Sequence, residues 1–194
     1  MSVVIHETAD VSKSAKIGTG TKIWNQAQVR ETAIIGDHCI IGKSSYIDVG
    51  VIIGDNVKIQ NFVSVYDGVV LEDDVFIGPS VTFTNDLYPR AKSTSRAWSK
   101  TLVKEGASIA AGTVIVCGNV VGRYAMVGAG SVVTRDIPDY GLAYGNPAKL
   151  KGFVCECGHK LTEKVKENNL NVLYKCKSCD KEIKIPVADF KKII

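Results

Sequence analysis

Beginning at Ile5 and stepping by six, the chain places a large apolar residue at every stop: Ile5, Val11, Ile17, Ile23, Val29, Ile35, Ile41, Ile47, Ile53, Ile59, Val65, Leu71, Ile77 and Phe83. Four residues after each comes a small or β-branched one, from Ala9, Ala15 and Thr21 through Cys39 and Ser45 to Val75 and Val81. A helix repeats at 3.6 residues and an ordinary strand at two, and neither sustains a period of six over residues 5–83. The pattern predicts very short strands separated by tight corners, stacked as a solenoid with three flat faces and 18 residues per coil. The i and i+4 side chains would stack inward as aliphatic ladders. Gly, Asp or Asn follows the large residue in IGDHCI, IGDNVK and VGAGSV, as tight corners favour.

The register breaks after Phe83 and returns at Val103, Ile109, Ile115, Val121, Val127 and Val133. That gap of 20 residues is not a multiple of six, so a loop is expected to leave the regular wall between about Asn85 and Thr101. After Lys151 the pattern stops and Lys, Glu and Asn take over. The expected division is therefore a β-solenoid over 1–150 and a small module over 151–194.

Composition narrows the fold class to all-β. The chain holds 25 Val and 19 Ile against 8 Leu, which favours pleated surfaces and argues against a helical bundle. The net charge of +4 belongs entirely to the tail: residues 1–150 carry 14 Lys/Arg and 14 Asp/Glu, and residues 151–194 carry 10 and 6. Apolar runs such as Ile109 to Cys117 fall far short of the ~20 residues of a membrane span. The start, MSVVIHETAD, lacks the features of a signal peptide. A cytoplasmic, reducing location is expected, with no membrane partner, so clustered Cys residues read first as metal ligands.

Four of the six Cys lie in the tail, as Cys155-x-Cys157-Gly-His159 and Cys176-x-x-Cys179. They look like the paired knuckles of a zinc ribbon, in which four thiolates close a tetrahedral Zn²⁺ site and hold a segment too short to fold on its own core. The first knuckle has one spacer where two are usual, which leaves room for His159 to replace one sulfur. Strands are expected at Asn171 to Lys175 and Glu182 to Val187. The tail's Lys excess attracts phosphate, but it has only three aromatics, Phe153, Tyr174 and Phe190, and its charges alternate. A structural or subunit-contact role is favoured over nucleic-acid binding. Cys39 falls at an inward position and reads as packing; Cys117 is assigned no role.

The hexapeptide pattern resembles the left-handed parallel β-helix of hexapeptide-repeat acyltransferases, an exception to right-handed crossovers. From NVKIQNFVSVYDGVVLEDDVFIGPSVTFTNDLYPRAK through VGRYAMVGAGSVVTRDIPDYGLAYGNPAKL, the chain resembles the nucleotide 3-amino-sugar N-acetyltransferases, in particular those acting on UDP-2-acetamido-3-amino-2,3-dideoxyglucuronate. The resemblance covers about residues 5–157, and FTND…YPR is its most specific part. It implies a homotrimer of parallel prisms with acetyl-CoA in a groove between subunits, walled partly by the projecting loop. The implied reaction is acetylation of the C3 amine of a nucleotide-linked sugar, serving surface polysaccharide synthesis. A dTDP-3-amino-3,6-dideoxyhexose substrate stays open, because no residue declares itself as the reader of a C6 carboxylate. A non-catalytic hexapeptide scaffold is the reading from a different class. A γ-type carbonic anhydrase needs three His ligands on its coils, and only His6 and His38 lie there.

Many such acetyltransferases carry a His general base in the loop that corresponds to FTND. This chain has none there, and His6, His38 and His159 read as surface residues. By resemblance Asn85 is the functional residue, holding the amine or orienting the acetyl carbonyl, with the proton passing late to the CoA sulfur. Asp86 is the competing base, with a raised pKa if the closed site excludes water. The 18-residue period sets Asp67 one coil below Asn85 and Tyr66 one coil below Thr84, about 4.8 Å apart. With Asn61 on the same coil and Arg90 in the loop, these are the expected sugar and nucleotide contacts, a polar strip beside the loop. Small residues Ala110, Ala111, Gly128 and Ala129 would let a pantetheine arm lie against the backbone, and Lys149 in GNPAKL is the expected phosphate partner. No Walker loop or dinucleotide-binding Gly motif offers another nucleotide site.

Overall fold

The computed structural model of the chain describes residues 2–92 and 98–193. The sixfold pattern becomes strands of two or three residues, from Val4–Ile5 to Val132–Val133, that stack in parallel into three sheets. We call first, second and third the sheets that contain Lys58–Ile59, Ser64–Val65 and Val69–Leu71 respectively. Partners lie 18 residues apart, as in Val4 with Lys22 and Ser64 with Tyr46. Across the loop, Val69 pairs with Thr101, Phe76 with Ser108 and Thr82 with Val114, each 32 residues on. The loop thus adds 14 residues to one coil and leaves the ladders in phase. Of the expected loop at 85–101, residues 93–97 lie outside the described residues.

Inside the prism the predicted ladders are present: Ile23, Ile41, Ile59, Ile77, Ile109 and Val127 are buried in one file. Each such side chain removed from water contributes roughly 1.5–3 kcal/mol. Polar residues at inward positions find partners, because an unpaired buried hydroxyl is costly. Thr21 Oγ1 donates to the Gly36 carbonyl at 2.7 Å and Ser45 Oγ to that of Gln60 at 2.9 Å. Cys39 is buried one coil from Thr21, in the same i+4 file, and its thiol faces the Gly54 carbonyl at 3.1 Å. The ladder is open at its N-terminal end, where Ile5 is 46% exposed.

Three edges join the sheets. Along the third edge, between third and first sheets, carboxylates cap the corners above one another. Asp37 Oδ1 accepts the Thr19 amide at 2.6 Å, Asp55 Oδ1 the Asp37 amide and Asp73 Oδ1 the Asp55 amide, both at 2.7 Å. Corners also place one residue in the left-handed region. Gly68 does so at φ 87, but Phe62 and Tyr124 do too, at φ 60 and 52, at a cost of about 1–2 kcal/mol each that the coils on either side impose.

The last parallel strand is Gly141–Tyr144, beside Met126–Val127. Strand Lys149–Phe153 turns back antiparallel onto Gly141–Tyr144, so the chain reverses and closes the end of the first sheet. An antiparallel sheet of Glu163–Glu167, Asn171–Lys175 and Glu182–Pro186 follows, then a short helix Val187–Phe190. Its small core, Phe153, Leu161, Ile183 and Ile185 with Cys155 and Cys176, packs against Tyr140 of the last coil. No helix among the described residues is long and apolar enough to cross a membrane.

Candidate active site

Asn85 sits on the second edge, between second and third sheets, where strand Thr82–Phe83 ends and the loop departs. The loop is pinned at its neck. Ser99 N–H donates to the Asn85 carbonyl at 3.2 Å, and Thr101 N–H to that of Gly68 at 3.0 Å. The returning strand passes over Gly68, where glycine is required by the φ of 87 and not by crowding, since an added Cβ would lie at an ordinary 3.5 Å from the Ser99 carbonyl oxygen. Thr84 Oγ1 accepts the Cys117 amide at 3.0 Å, tying the departure point to the coil above. These contacts use backbone and Thr84. The Asn85 side chain is half-buried and has no hydrogen-bond partner among the described residues. Asp86 is half-buried too, but its Oδ1 already accepts the Tyr88 amide at 2.8 Å in a local turn. Arg90 is exposed in the loop, with Nη1 donating to the Pro89 carbonyl at 2.8 Å.

One coil below, Ser64 pairs with Thr82, a register that puts Tyr66 under Thr84 and Asp67 under Asn85. The same 18-residue step leads on to Asp48 and Arg30, which the sequence analysis did not single out. Asp48 accepts three hydrogen bonds, from Tyr46 Oη at 2.9 Å, the Val49 amide at 2.8 Å and the Asp67 amide at 3.3 Å. Arg30 Nη1 lies 3.5 Å from Tyr46 Oη, and the rings of Tyr46 and Tyr66 meet at 5.8 Å and 55°. Burial first, then Asp48, pushes the Tyr46 phenol pKa up. Hydrogen bonding to Glu31 does the same for the Arg30 guanidinium. The second edge thus carries an ordered file of donors, acceptors and aromatic rings four coils deep. Three steps of 18 from Thr84, through Tyr66 and Asp48 to Arg30, find it.

The structure does not bring Asn61 into that strip. Asn61 stands on the first edge, at the far end of strand Ser64–Val65, where its Oδ1 accepts the Lys43 amide at 2.9 Å. Ala110, Ala111, Gly128 and Ala129 lie on this first edge as well, in Asn61's file. For Gly128 the smallness has a local cause: a Cβ there would fall 2.8 Å from Tyr144 Cβ. The two candidate groups occupy different edges of one prism, separated by the width of the second sheet. Lys149 opens the strand that closes the last coil and is exposed.

In the tail, Cys155, Cys157, Cys176 and Cys179 converge, with all four sulfurs within 4.8 Å of one another. Cys155 Sγ is 3.5 Å from Cys179 Sγ, and Cys157 Sγ is 3.6 Å from Cys176 Sγ. Four sulfurs bound tetrahedrally at about 2.3 Å from zinc stand about 3.8 Å apart, so the donor set fits that ion. The His159 amide, ahead of other influences, draws the Cys157 thiol down to about 6, whereas burial pushes Cys155 up to about 12. His159 Nδ1 lies 3.5 Å from Cys157 Sγ, beside the four sulfurs.

Comparison with known proteins matches this architecture. The family pattern described as "Bacterial transferase hexapeptide (six repeats)" covers residues 14–48 and 50–85, and "Hexapeptide repeat of succinyl-transferase" covers 32–67. The chain is 53% identical over 157 residues, 81% of each chain, to dTDP-3-amino-3,6-dideoxy-alpha-D-galactopyranose 3-N-acetyltransferase of Aneurinibacillus thermoaerophilus. Among solved structures, a UDP-N-acetylglucosamine acyltransferase from Bacteroides fragilis superposes with TM-score 0.67 at 21% identity, over 78% of this chain and 61% of that one. This likeness identifies the winding as the left-handed β-helix. A GDP-perosamine N-acetyltransferase variant from Caulobacter crescentus, solved with CoA and GDP-perosamine, matches with TM-score 0.54 at 26% identity over 78% of this chain and 57% of that one. From its ladders, its loop and identity over most of its length, the chain belongs to the hexapeptide-repeat acetyltransferase family.

Proposed function

We propose that the protein transfers the acetyl group of acetyl-CoA to the C3 amine of a nucleotide-linked 3-amino-3,6-dideoxyhexose. The observation that carries the reading is Asn85: a half-buried amide with no partner among the described residues, at the mouth of the loop and directly above Asp67. The sequence alone favours the UDP-linked glucuronate, and the relative from Aneurinibacillus moves the preference to the dTDP-linked sugar. In this reading the neutral amine attacks the thioester carbonyl and a C–N bond forms. The Asn85 amide donates to the oxygen where negative charge develops, the kind of contact that acts mainly in the transition state. As the C–S bond breaks, the departing sulfur takes the amine's proton, so no side-chain base is required. Asp86, with one oxygen committed to the Tyr88 amide, shapes the loop. Asp67 and Tyr66 hold the sugar. Asp48, Tyr46 and Arg30 lie further along the same edge, within reach of its nucleotide.

Assembly completes the site. Outward on the third sheet run Ile34, Ile52, Val70, Leu102 and Val120, an apolar file in which Ile34 and Ile52 are 41% and 45% exposed. A homotrimer would cover such a face. It would also bring the small residues of one protomer's first edge opposite its partner's loop, across a gap that a single prism leaves at roughly 15–20 Å. In the tail, Cys155, Cys157, Cys176 and Cys179 would hold a structural Zn²⁺ with no open coordination position, which supplies folding energy and no chemistry.

The test is CoA release across a panel of UDP- and dTDP-linked 3-amino sugars. Turnover is expected with dTDP-linked 3-amino-3,6-dideoxyhexoses and to be strongly reduced in Asn85→Ala. No turnover with any member would overturn the reading. Full rate in Asn85→Ala with loss in Asp86→Ala would transfer the central role to Asp86.

A further inference from the structure

The first edge builds the same corner coil after coil, so neighbouring coils show what that corner requires. Stepping by 18, and once by 32 across the loop, the file reads Gln26, Ser44, Phe62, Ser80, Gly112 and Gly130, all left-handed with φ between 55 and 67. Glycine or a small polar residue suits such a corner in water, and a bulky apolar one does not. Phe62 stands there nonetheless and is 55% exposed. A Cβ added to Gly112 or Gly130 would meet nothing within 4 Å, so this file faces open space and not the body of its own chain. The stacked coils hold Phe62 in a disfavoured conformation, and burial within its own prism offsets little of that strain.

The same edge changes character along its length. Below the loop it carries the exposed rings of Trp24 and Phe62, whereas above the loop residues 110–112 and 128–130 are all Ala or Gly. Phe62 and Tyr66 flank one strand, Ser64–Val65, and so occupy the first and second edges of one coil. Rotation about a three-fold axis parallel to the prisms leaves height unchanged. In the homotrimer, where one protomer's first edge meets its partner's loop, Phe62 therefore comes level with the partner's Tyr66 and Asp67. That level is one coil, about 4.8 Å, below the partner's Asn85. A hexose with its C3 amine at Asn85 spans this step, and its C5–C6 end lies across the ring from C3.

We infer that Phe62 of one protomer completes the acceptor site of the next: its ring lies against the methyl end of the 6-deoxy sugar held by the partner's Tyr66 and Asp67, and selects a C6 methyl over a C6 hydroxyl. This rests on the amino-sugar reading and on the homotrimer. A phenyl ring offers a hydroxyl no hydrogen bond, so a 6-hydroxyl acceptor would lose water there without compensation. The contact is remote from the reacting amine and acts on ground and transition states alike, which makes Phe62 a specificity residue and not a catalytic one.

The experiment measures kcat and KM with dTDP-3-amino-3,6-dideoxygalactose and with its 6-hydroxyl counterpart, both neutral at C6, so that the charge of Asp67 does not decide between them. Wild type is expected to favour the deoxy sugar about tenfold or more in kcat/KM. Phe62→Gly is expected to raise KM for that sugar about tenfold, leave kcat as it was and lose most of the preference. The same variant should melt at or above the wild-type temperature and stay trimeric in sedimentation, since glycine accepts the corner freely. Coexpressed Phe62→Gly and Asn85→Ala chains should form mixed trimers that, at low acceptor concentration, exceed the average of the two homotrimers, because some interfaces join the intact edge of each. Unchanged KM and preference in Phe62→Gly overturn the inference, as do mixed trimers no better than that average. So does a variant that melts low or falls apart into protomers, which would make the ring a packing residue, and so does a monomeric wild type. All of these leave the acceptor reading standing. No turnover by wild type with any sugar would overturn that reading and this inference with it.

Discussion

Ile59 in the body and Cys176 in the tail are both sealed from water, at 0% and 1% exposure, yet they hold their surroundings together in different ways. Ile59 is one rung among many, stacked between Ile41 and Ile77, and the coil above repeats the same solution. Stability there is nearly a sum over coils, so no single rung is indispensable. Cys176 is one of four sulfurs around one point, in a segment whose apolar cluster amounts to a handful of side chains. Remove one sulfur and nothing nearby repeats its contribution. Redundancy in one region and concentration in the other predict opposite responses to mutation.

The largest effect is expected from Cys176→Ser or exhaustive chelation. Structural zinc sites of this kind contribute about 10–16 kcal/mol of apparent binding free energy at neutral pH. Metal analysis should fall from about one zinc per chain to none, and hydrogen exchange should show the 163–186 sheet opened while the coils stay protected. Opening of the coils as well would break the comparison. Next, Ile59→Ala should destabilise the body by about 2–5 kcal/mol in denaturant melts, with metal content unchanged. Asn85→Ala should lower kcat by about 10²–10³-fold and leave both melting and metal content as in wild type. The smallest effect belongs to the edge. Asp55→Ala, which removes the carboxylate that accepts the Asp37 amide, should cost about 1 kcal/mol or less, because the amide there can turn to water.

The solenoid was legible because its signal is repeated: one period, continued from Ile5 to Phe83 and resumed at Val103, fixes strands, ladders and coil height together. Strand Asn171–Lys175 was also legible as predicted, and all four tail sulfurs lie together, with His159 beside them. The edges were harder. Asn61 and Asp67 differ by six, and that one step carries the chain from one edge of the prism to the next, so belonging to a single coil is not proximity. The same arithmetic, applied in steps of 18 instead, yields Asp48 and Arg30. Left-handed corners at Phe62 and Tyr124 could not be read from residue type, since bulky side chains disfavour that conformation and only the stacked coils impose it. The return of Lys149–Phe153 onto Gly141–Tyr144 carries no periodic mark, because it ends the repeat. A cavity beside it joins Arg135 to Lys191 and Lys192, residues far apart in the chain, through a tertiary contact that no local pattern encodes.

The constant rise of the coils makes the second edge a ruler. Arg30, Asp48, Tyr66 and Thr84 mark it at 18-residue intervals, and the cavity at Arg135 lies two divisions beyond. Inserting one complete 18-residue coil between Asp67 and Asn85 would lengthen the scale by a single division of about 4.8 Å while every ladder stayed in phase. Ligand length in this architecture is therefore set by counting coils, and chemistry by the loop that interrupts the count.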